Sequence, residues 1–137
     1  MELQVGVKVF LKNPEGKYLL MRRADDPSAW KRAFQGKWDI PGGRMNAGTT
    51  LMENLAREIM EETGLTMSSQ PRLVAAQDIM KWTDRHVVRL TYIGEGSGEP
   101  RLSEEHTEYK WLTLEEVCAL ENVDSYFKKL LDDGIIS

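Results

Sequence analysis

Three glutamates, Glu58, Glu61 and Glu62, stand at positions i, i+3 and i+4 of one short segment. On a helix, at about 100° per residue, they project within a narrow sector of one face. Like charges so placed repel, at a few tenths of a kcal/mol per pair in an isolated helix, and the arrangement makes best sense with a cation at its focus. Hard carboxylate oxygens select Mg2+, with Mn2+ as the alternative. Such an ion bridges phosphate oxygens and lowers the pKa of a bound water, which is the chemistry of phosphate-bond hydrolysis. The competing reading is a solvated helix face whose glutamates pair with Arg57 and other surface cations.

The elements that must position these carboxylates are legible around them. Thr50-x-x-Glu53 has the form of a capping box, and Gly64 is placed to end the same helix. Between them Leu51, Leu55, Ala56 and Ile59 recur at helical spacing as a core face, and Glu53, Arg57 and Glu61 are set for i to i+4 pairing. The helix is preceded by Trp38-Asp39-Ile40, a short strand running into Pro41-Gly42-Gly43, where glycine permits close backbone approach.

Read from Gly43, the string is Gly-x5-Thr-x7-Arg-Glu-Ile-x-Glu-Glu-x-Gly-Leu. It closely resembles the signature of the Nudix hydrolases, Gly-x5-Glu-x7-Arg-Glu-U-x-Glu-Glu-x-Gly-U with U aliphatic. Gly43, Arg57, Glu58, Ile59, Glu61, Glu62, Gly64 and Leu65 agree, and Thr49 alone departs, standing where the family has its first glutamate. The likeness extends over roughly residues 3 to 120, through a hairpin ending in Arg22-Arg23 and the late stretch Glu105-His106-x-Glu108-Tyr109-x-Trp111.

The resemblance implies an α/β (α+β) fold, the Nudix α/β/α sandwich around a central mixed sheet, with residues 1–137 as a single domain. It implies a Mg2+-dependent pyrophosphohydrolase in which metal-activated water attacks phosphorus in a nucleoside diphosphate linked to another moiety: a nucleotide sugar, ADP-ribose or a nucleoside triphosphate. Carried over by position, Glu58, Glu61 and Glu62 are metal ligands. Arg57 orients the carboxylates and Gly43 lets the loop wrap the site. A glutamate before the last strand serves as general base or extra ligand; Glu105 is the first choice, with Glu104 and Glu108 as alternatives. His106 either assists or lies on the surface. Arg23 is placed to bind phosphate. Because family members use the first glutamate near the metals or paired with the box arginine, Thr49 opens a second reading, a catalytically weak or inactive nucleotide-binding or sensor module.

The rest of the chain supplies the frame. Val5, Val7, Val9 and Leu11 alternate as a strand, Asn13-Pro14-Glu15-Gly16 turns, and Tyr18 to Met21 returns, forming a hairpin. Residues 24 to 37 form a long irregular loop whose Trp30 and Phe34, with Trp82, are the aromatic groups available to stack on a base. Leu73 to Lys81 and Val87 to Ile93 read as strands joined by a polar turn, and Tyr109 to Leu112 as the last strand. Gly94 to Pro100 reads as a loop, and its spaced glycines open no helix, so they are not a dinucleotide fingerprint. Helices follow from Thr113 and from Asp124, the latter burying Tyr126, Phe127, Leu130 and Leu131. Hairpin-connected neighbours favour a mixed or antiparallel sheet with helices on its faces.

At 137 residues, with 41% apolar and 29% charged residues, the composition is that of an ordinary globular chain of one domain. A net charge of −4 excludes a sequence-independent binder of nucleic-acid polymers, which needs a basic face. No apolar run is long enough for a membrane span. The single cysteine, Cys118, fits a cytoplasmic setting and reads as a small buried apolar residue. The partner expected is a nucleotide-type small molecule, with a homodimer left open.

Overall fold

A computed structural model describes residues 1–24 and 36–136. The described elements are β1 (Glu2–Lys12), β2 (Tyr18–Arg23), β3 (Trp38–Asp39), β4 (Gly42–Arg44), α1 (Leu51–Thr63), β5 (Arg72–Ile79), β6 (Arg85–Glu95), β7 (His106–Leu112), α2 (Leu114–Ala119) and α3 (Ser125–Asp132). The strands form one mixed sheet in the order β3-β2-β1-β6-β5, with β4 also on β1 and β7 also on β2.

The centre of that sheet is a parallel pair. β1 runs alongside β6 from Glu2 opposite Arg85 to Lys12 opposite Glu95, and β5 returns antiparallel on β6. The expected β1–β2 hairpin closes only at its turn, where Lys12 faces Tyr18. Beyond it the strands diverge, because β4 takes the edge of β1 with Gly6 opposite Arg44 and Lys8 opposite Gly42. The Gly-Gly approach is therefore a ladder strand as well as a loop. Gly42 sits at φ 142°, and a Cβ there would collide with the Val7 carbonyl oxygen, so no other residue fits this contact.

Strand period two sorts β1 onto two faces. Val7, Val9 and Leu11 pack with Leu55 and Ile59 of α1, while Phe10 on the other face joins Val117 of α2 and Phe127 and Leu130 of α3. This is the α/β/α sandwich expected. The capping boxes at Thr50–Glu53 and Thr113–Glu116 both form, and Gly64 ends α1 in the left-handed conformation. Asp124 caps α3 by accepting from Tyr126 and Phe127 backbone N–H groups.

Several expectations are corrected. Ala56 is exposed, and the buried polar Asn54 takes its place on the inner side of α1. Glu53 bonds the Thr50 backbone in the cap, so only Arg57–Glu61 forms among the i to i+4 pairs expected. Cys118 is exposed, because Val117 is the α2 residue aimed at the core and the next position turns about 100° away. β6 continues through Gly94 to Glu95 because its parallel pairing with β1 lasts that long. β7 starts at His106 rather than Tyr109, since it pairs with β2 down to Arg23. Trp30 and Phe34 lie outside the described residues.

Candidate active site

Where β4 leaves β1 and α1 passes over it, a cavity of about 310 Å3 opens. Glu58, Glu62 and Glu105 line it together with Arg23, Gly43 and Trp82, so six of the residues singled out from sequence meet in one space. Lys8, Asp39 and Arg89 from β1, β3 and β6 share its walls, with Gln4, Ile79 and Val87 farther along.

The glutamates of α1 are not equivalent. Glu62 is 3% exposed, and its Oε2 accepts the Gly42 backbone N–H at 3.0 Å. Burial pushes its carboxyl up to about 7, against the opposing pull of the Lys8 ammonium and the Gly42 hydrogen bond. Glu58 lies beneath Gly43 so closely that a Cβ on that glycine would stand 2.5 Å from the carboxylate. Partial burial raises the Glu58 carboxyl, Arg57 pulls it back, and Glu61 and Glu105 raise it further. Glu61 is the outward member, more than half exposed and 3.5 Å from Arg57 Nη1.

Arg57 holds this group together. Its Nη1 lies 3.2 Å from Glu58, and its Nη2 donates to Asn54 Oδ1 at 3.0 Å and to the Arg44 carbonyl. Thr49 is absorbed locally: its hydroxyl donates to the Asn46 carbonyl and accepts from the Asn54 amide. Asn54 also accepts the Asn46 backbone N–H. The arginine is thus anchored by Asn54 without a carboxylate at position 49.

Across the cavity Glu105 precedes β7, its carbonyl accepting from Ala24 N–H at 2.8 Å. Its neighbour His106 is 7% exposed, which corrects the surface alternative for that residue. Burial drives the imidazole down to about 3, helped by Lys8 and Arg23, so the ring is neutral at ordinary pH. One ligand atom each of Glu62, Glu105 and His106 lie within 4.8 Å of one another. Glu108, by contrast, pairs with Arg22 at 3.7 Å with both side chains about half exposed, and Glu104 is exposed.

The floor carries a buried charge network that motif reading did not reach. Arg89 spans Asp39 and Asp124 at 2.9 Å each, and Lys8 lies 3.3 Å from Asp39. Burial pushes Asp39 up, but Arg89 and Lys8 outweigh it and hold the carboxyl well below the usual range. Burial lowers Lys8, and Asp39 only partly offsets that. The one available signal was a lone charge inside each apolar strand, Lys8 among Val7, Val9 and Phe10, and Arg89 beside Val87, Val88 and Leu90.

A family model for the NUDIX domain matches residues 2–133. The chain belongs to the Nudix family. A MutT-like protein of Streptomyces ambofaciens is 32% identical over 129 residues, covering 93% of this chain and 75% of the relative. The asymmetrical bis(5'-nucleosyl)-tetraphosphatase of Mus musculus is 32% identical over 102 residues, covering 71% of this chain and 69% of its own. The crystal structure of a MutT protein from Methanosarcina mazei superposes with a TM-score of 0.82 at 31% identity, over 96% of this chain and 92% of that one. Nudix proteins are hydrolases acting on phosphoanhydride bonds and generally use divalent metals.

The donors of this Nudix site fit such an ion. Glu62 is a buried carboxylate with, among the described residues, a single backbone hydrogen bond, and it has a raised pKa, the state expected of an anion lacking its full complement of positive partners. Glu58 is cradled where only glycine leaves it room, and Glu105 faces both from the opposite wall. Among the described helices none is long and apolar enough to cross a membrane.

Proposed function

We propose that this protein hydrolyses a diphosphate bond in a nucleoside diphosphate linked to another moiety, with Mg2+ or Mn2+ as cofactor. The observation that carries the reading is a single cavity's lining of acidic donors, basic groups and an aromatic ring: Glu58, Glu62 and Glu105 beside Arg23, with Trp82 farther along.

Glu58, Glu62 and Glu105, which line the cavity, would hold the ion, with Glu61 beside them on α1. Glu61 would join the ligands by giving up its exposed pair with Arg57, which is worth only about 0.5 kcal/mol. When bound, the ion neutralises charge on the phosphate oxygens and makes a coordinated water more acidic. Glu105, exposed at the mouth, would take the proton of the attacking water as general base through the carboxylate oxygen left free of the ion. Arg23 directs positive charge to the phosphates. Gly43 keeps the Glu58 carboxylate accessible from β4, and Arg57 fixes the direction of Glu58.

Strand geometry separates phosphate from base. Gln4, Gly6 and Lys8 share one face of β1, so the Lys8 end and the Gln4 end are about 13 Å apart at roughly 3.3 Å per residue. The charged end suits the diphosphate, and the Gln4–Ile79–Trp82–Val87 end suits a base, with Trp82 stacking on it. The substrate classes this accommodates are nucleotide sugars, ADP-ribose and nucleoside triphosphates.

The test is a Mg2+-dependent turnover assay over a panel of these compounds with product identification. Release of a monophosphate that disappears in Glu62→Gln supports the enzyme. Tight nucleotide binding with no turnover across the panel would replace it with the binding module that Thr49 raises.

A further inference from the structure

We propose that His106, with Glu62 and Glu105, forms a mixed nitrogen–oxygen metal site that prefers Mn2+ to Mg2+. The inference rests on the metal-binding part of the function proposed above and adds a ligand of another chemical type.

The placement of His106 is specific. In a regular strand, residues two apart point to the same face, so His106 would share the face of the exposed Glu108. The β2–β7 ladder, however, shifts register between Arg22 and Arg23: Arg22 faces Glu108, whereas Arg23 faces His106. That bulge inserts one residue on the β7 side, and bulges re-aim the side chains beside them. His106 is instead buried, and one of its ring nitrogens lies with one carboxylate oxygen each of Glu62 and Glu105 within 4.8 Å. The Ala24 N–H to Glu105 carbonyl bond pins the backbone just before the bulge.

One nitrogen of the ring has no structural partner among the described residues. His106 is 93% removed from solvent, and its Nδ1 is buried without a hydrogen-bond partner among the described residues. A buried imidazole normally satisfies its nitrogens, and leaving one orphaned costs about 1–3 kcal/mol. A ligand that binds the ring offsets this cost. Mg2+ takes oxygen ligands in near-ideal octahedra and keeps its waters, so a neutral imidazole adds little for it. Later divalent ions accept imidazole readily, and Mn2+ accepts both imidazole and carboxylate.

The experiment titrates Mn2+ and Mg2+ into the full chain and reads the bound Mn2+ by pulsed electron paramagnetic resonance. The only other histidine, His86, sits on β6 at 2.7 Å from Asp78, so the decisive sample is His86→Gln labelled with 15N-histidine. A nitrogen hyperfine coupling to Mn2+ that changes from 14N to 15N frequency on labelling is the expected result. In His106→Gln the coupling disappears, and Mn2+ affinity falls about tenfold or more while Mg2+ affinity changes less than about twofold. Bound Mn2+ with no histidine coupling in the folded His86→Gln protein overturns this inference alone. No binding of either ion overturns the metal-dependent function with it.

Discussion

Glu62 couples the stability of the metal-free protein to its function. Its carboxyl stands at about 7 in the fold against an ordinary 4.5. With about 1.4 kcal/mol for each pH unit between the two, holding Glu62 ionised costs the folded state about 3 kcal/mol. The folded state binds more protons than the unfolded one between these values, so this stability is present below pH 4.5 and is lost as pH rises through 7. Glu62→Gln removes the charge and keeps an oxygen to accept the Gly42 N–H. Without metal, the variant and the parent should melt together near pH 4.5. At pH 8 the variant should melt higher by roughly 10 °C, at about 3 °C per kcal/mol for a chain of this size. Adding Mg2+ at pH 8 should raise the parent and leave the variant nearly unmoved, because the ion supplies the positive charge Glu62 lacks. Differential scanning fluorimetry with a chelator, then with Mg2+, from pH 4.5 to 8.5 reads both effects. A variant that melts below the parent by the same margin at every pH would refute the reasoning, since Glu62 would then be a packing residue.

Gly43→Ala should lower metal affinity at least about tenfold, measured by calorimetry, because its methyl would stand 2.5 Å from the Glu58 carboxylate and must displace it. Arg89→Met leaves Asp39 and Asp124 buried without their shared cation and should cost about 3–5 kcal/mol in denaturant unfolding. Trp82→Ala should raise KM by about 5- to 100-fold with kcat nearly unchanged, the loss of one base stack, in steady-state kinetics on the best substrate of the panel. Glu105→Gln should lower kcat about 100-fold or more with little change in melting temperature, as an exposed general base would.

How far the sequence reached depended on the range of the interaction. α1 was legible because everything that defines it is local: the Thr50–Glu53 box, the Leu55–Ile59 repeat and the Gly64 cap all lie within the one segment from Thr50 to Gly64. The Glu58–Glu62 relation followed from the same periodicity. The partners of β1 were not legible. Its alternation shows that it is a strand, but nothing within it states that Glu2 to Lys12 lies parallel to Arg85 to Glu95, some eighty residues on. The tight turn at Asn13–Gly16 suggested the nearest strand, and β4 displaced it along most of the edge. His106 was hidden for a related reason, because its orientation depends on a bulge in the ladder with β2, and a register shift leaves no mark in the residues that carry it.

The buried network explains why Lys8, Asp39 and Arg89 belong to the site although the signature from Gly43 to Leu65 contains none of them. Glu58, Glu62 and Glu105 place negative charge around one cavity that must receive a phosphate chain. An acidic site of this kind repels its substrate unless fixed cations stand nearby. Arg89 is held by two aspartates and contributes little net charge, whereas Lys8 shares Asp39 with it and also faces Glu62. The Lys8 ammonium therefore stabilises ionised Glu62, while the Asp39–Arg89–Asp124 group fixes the carboxylate that anchors Lys8. On this argument Lys8→Met should raise the Glu62 pKa above 7 and move the onset of Mg2+ binding to higher pH. Calorimetry against pH would show the shift, and an unchanged onset would mean that Lys8 serves only to fill the floor of the cavity.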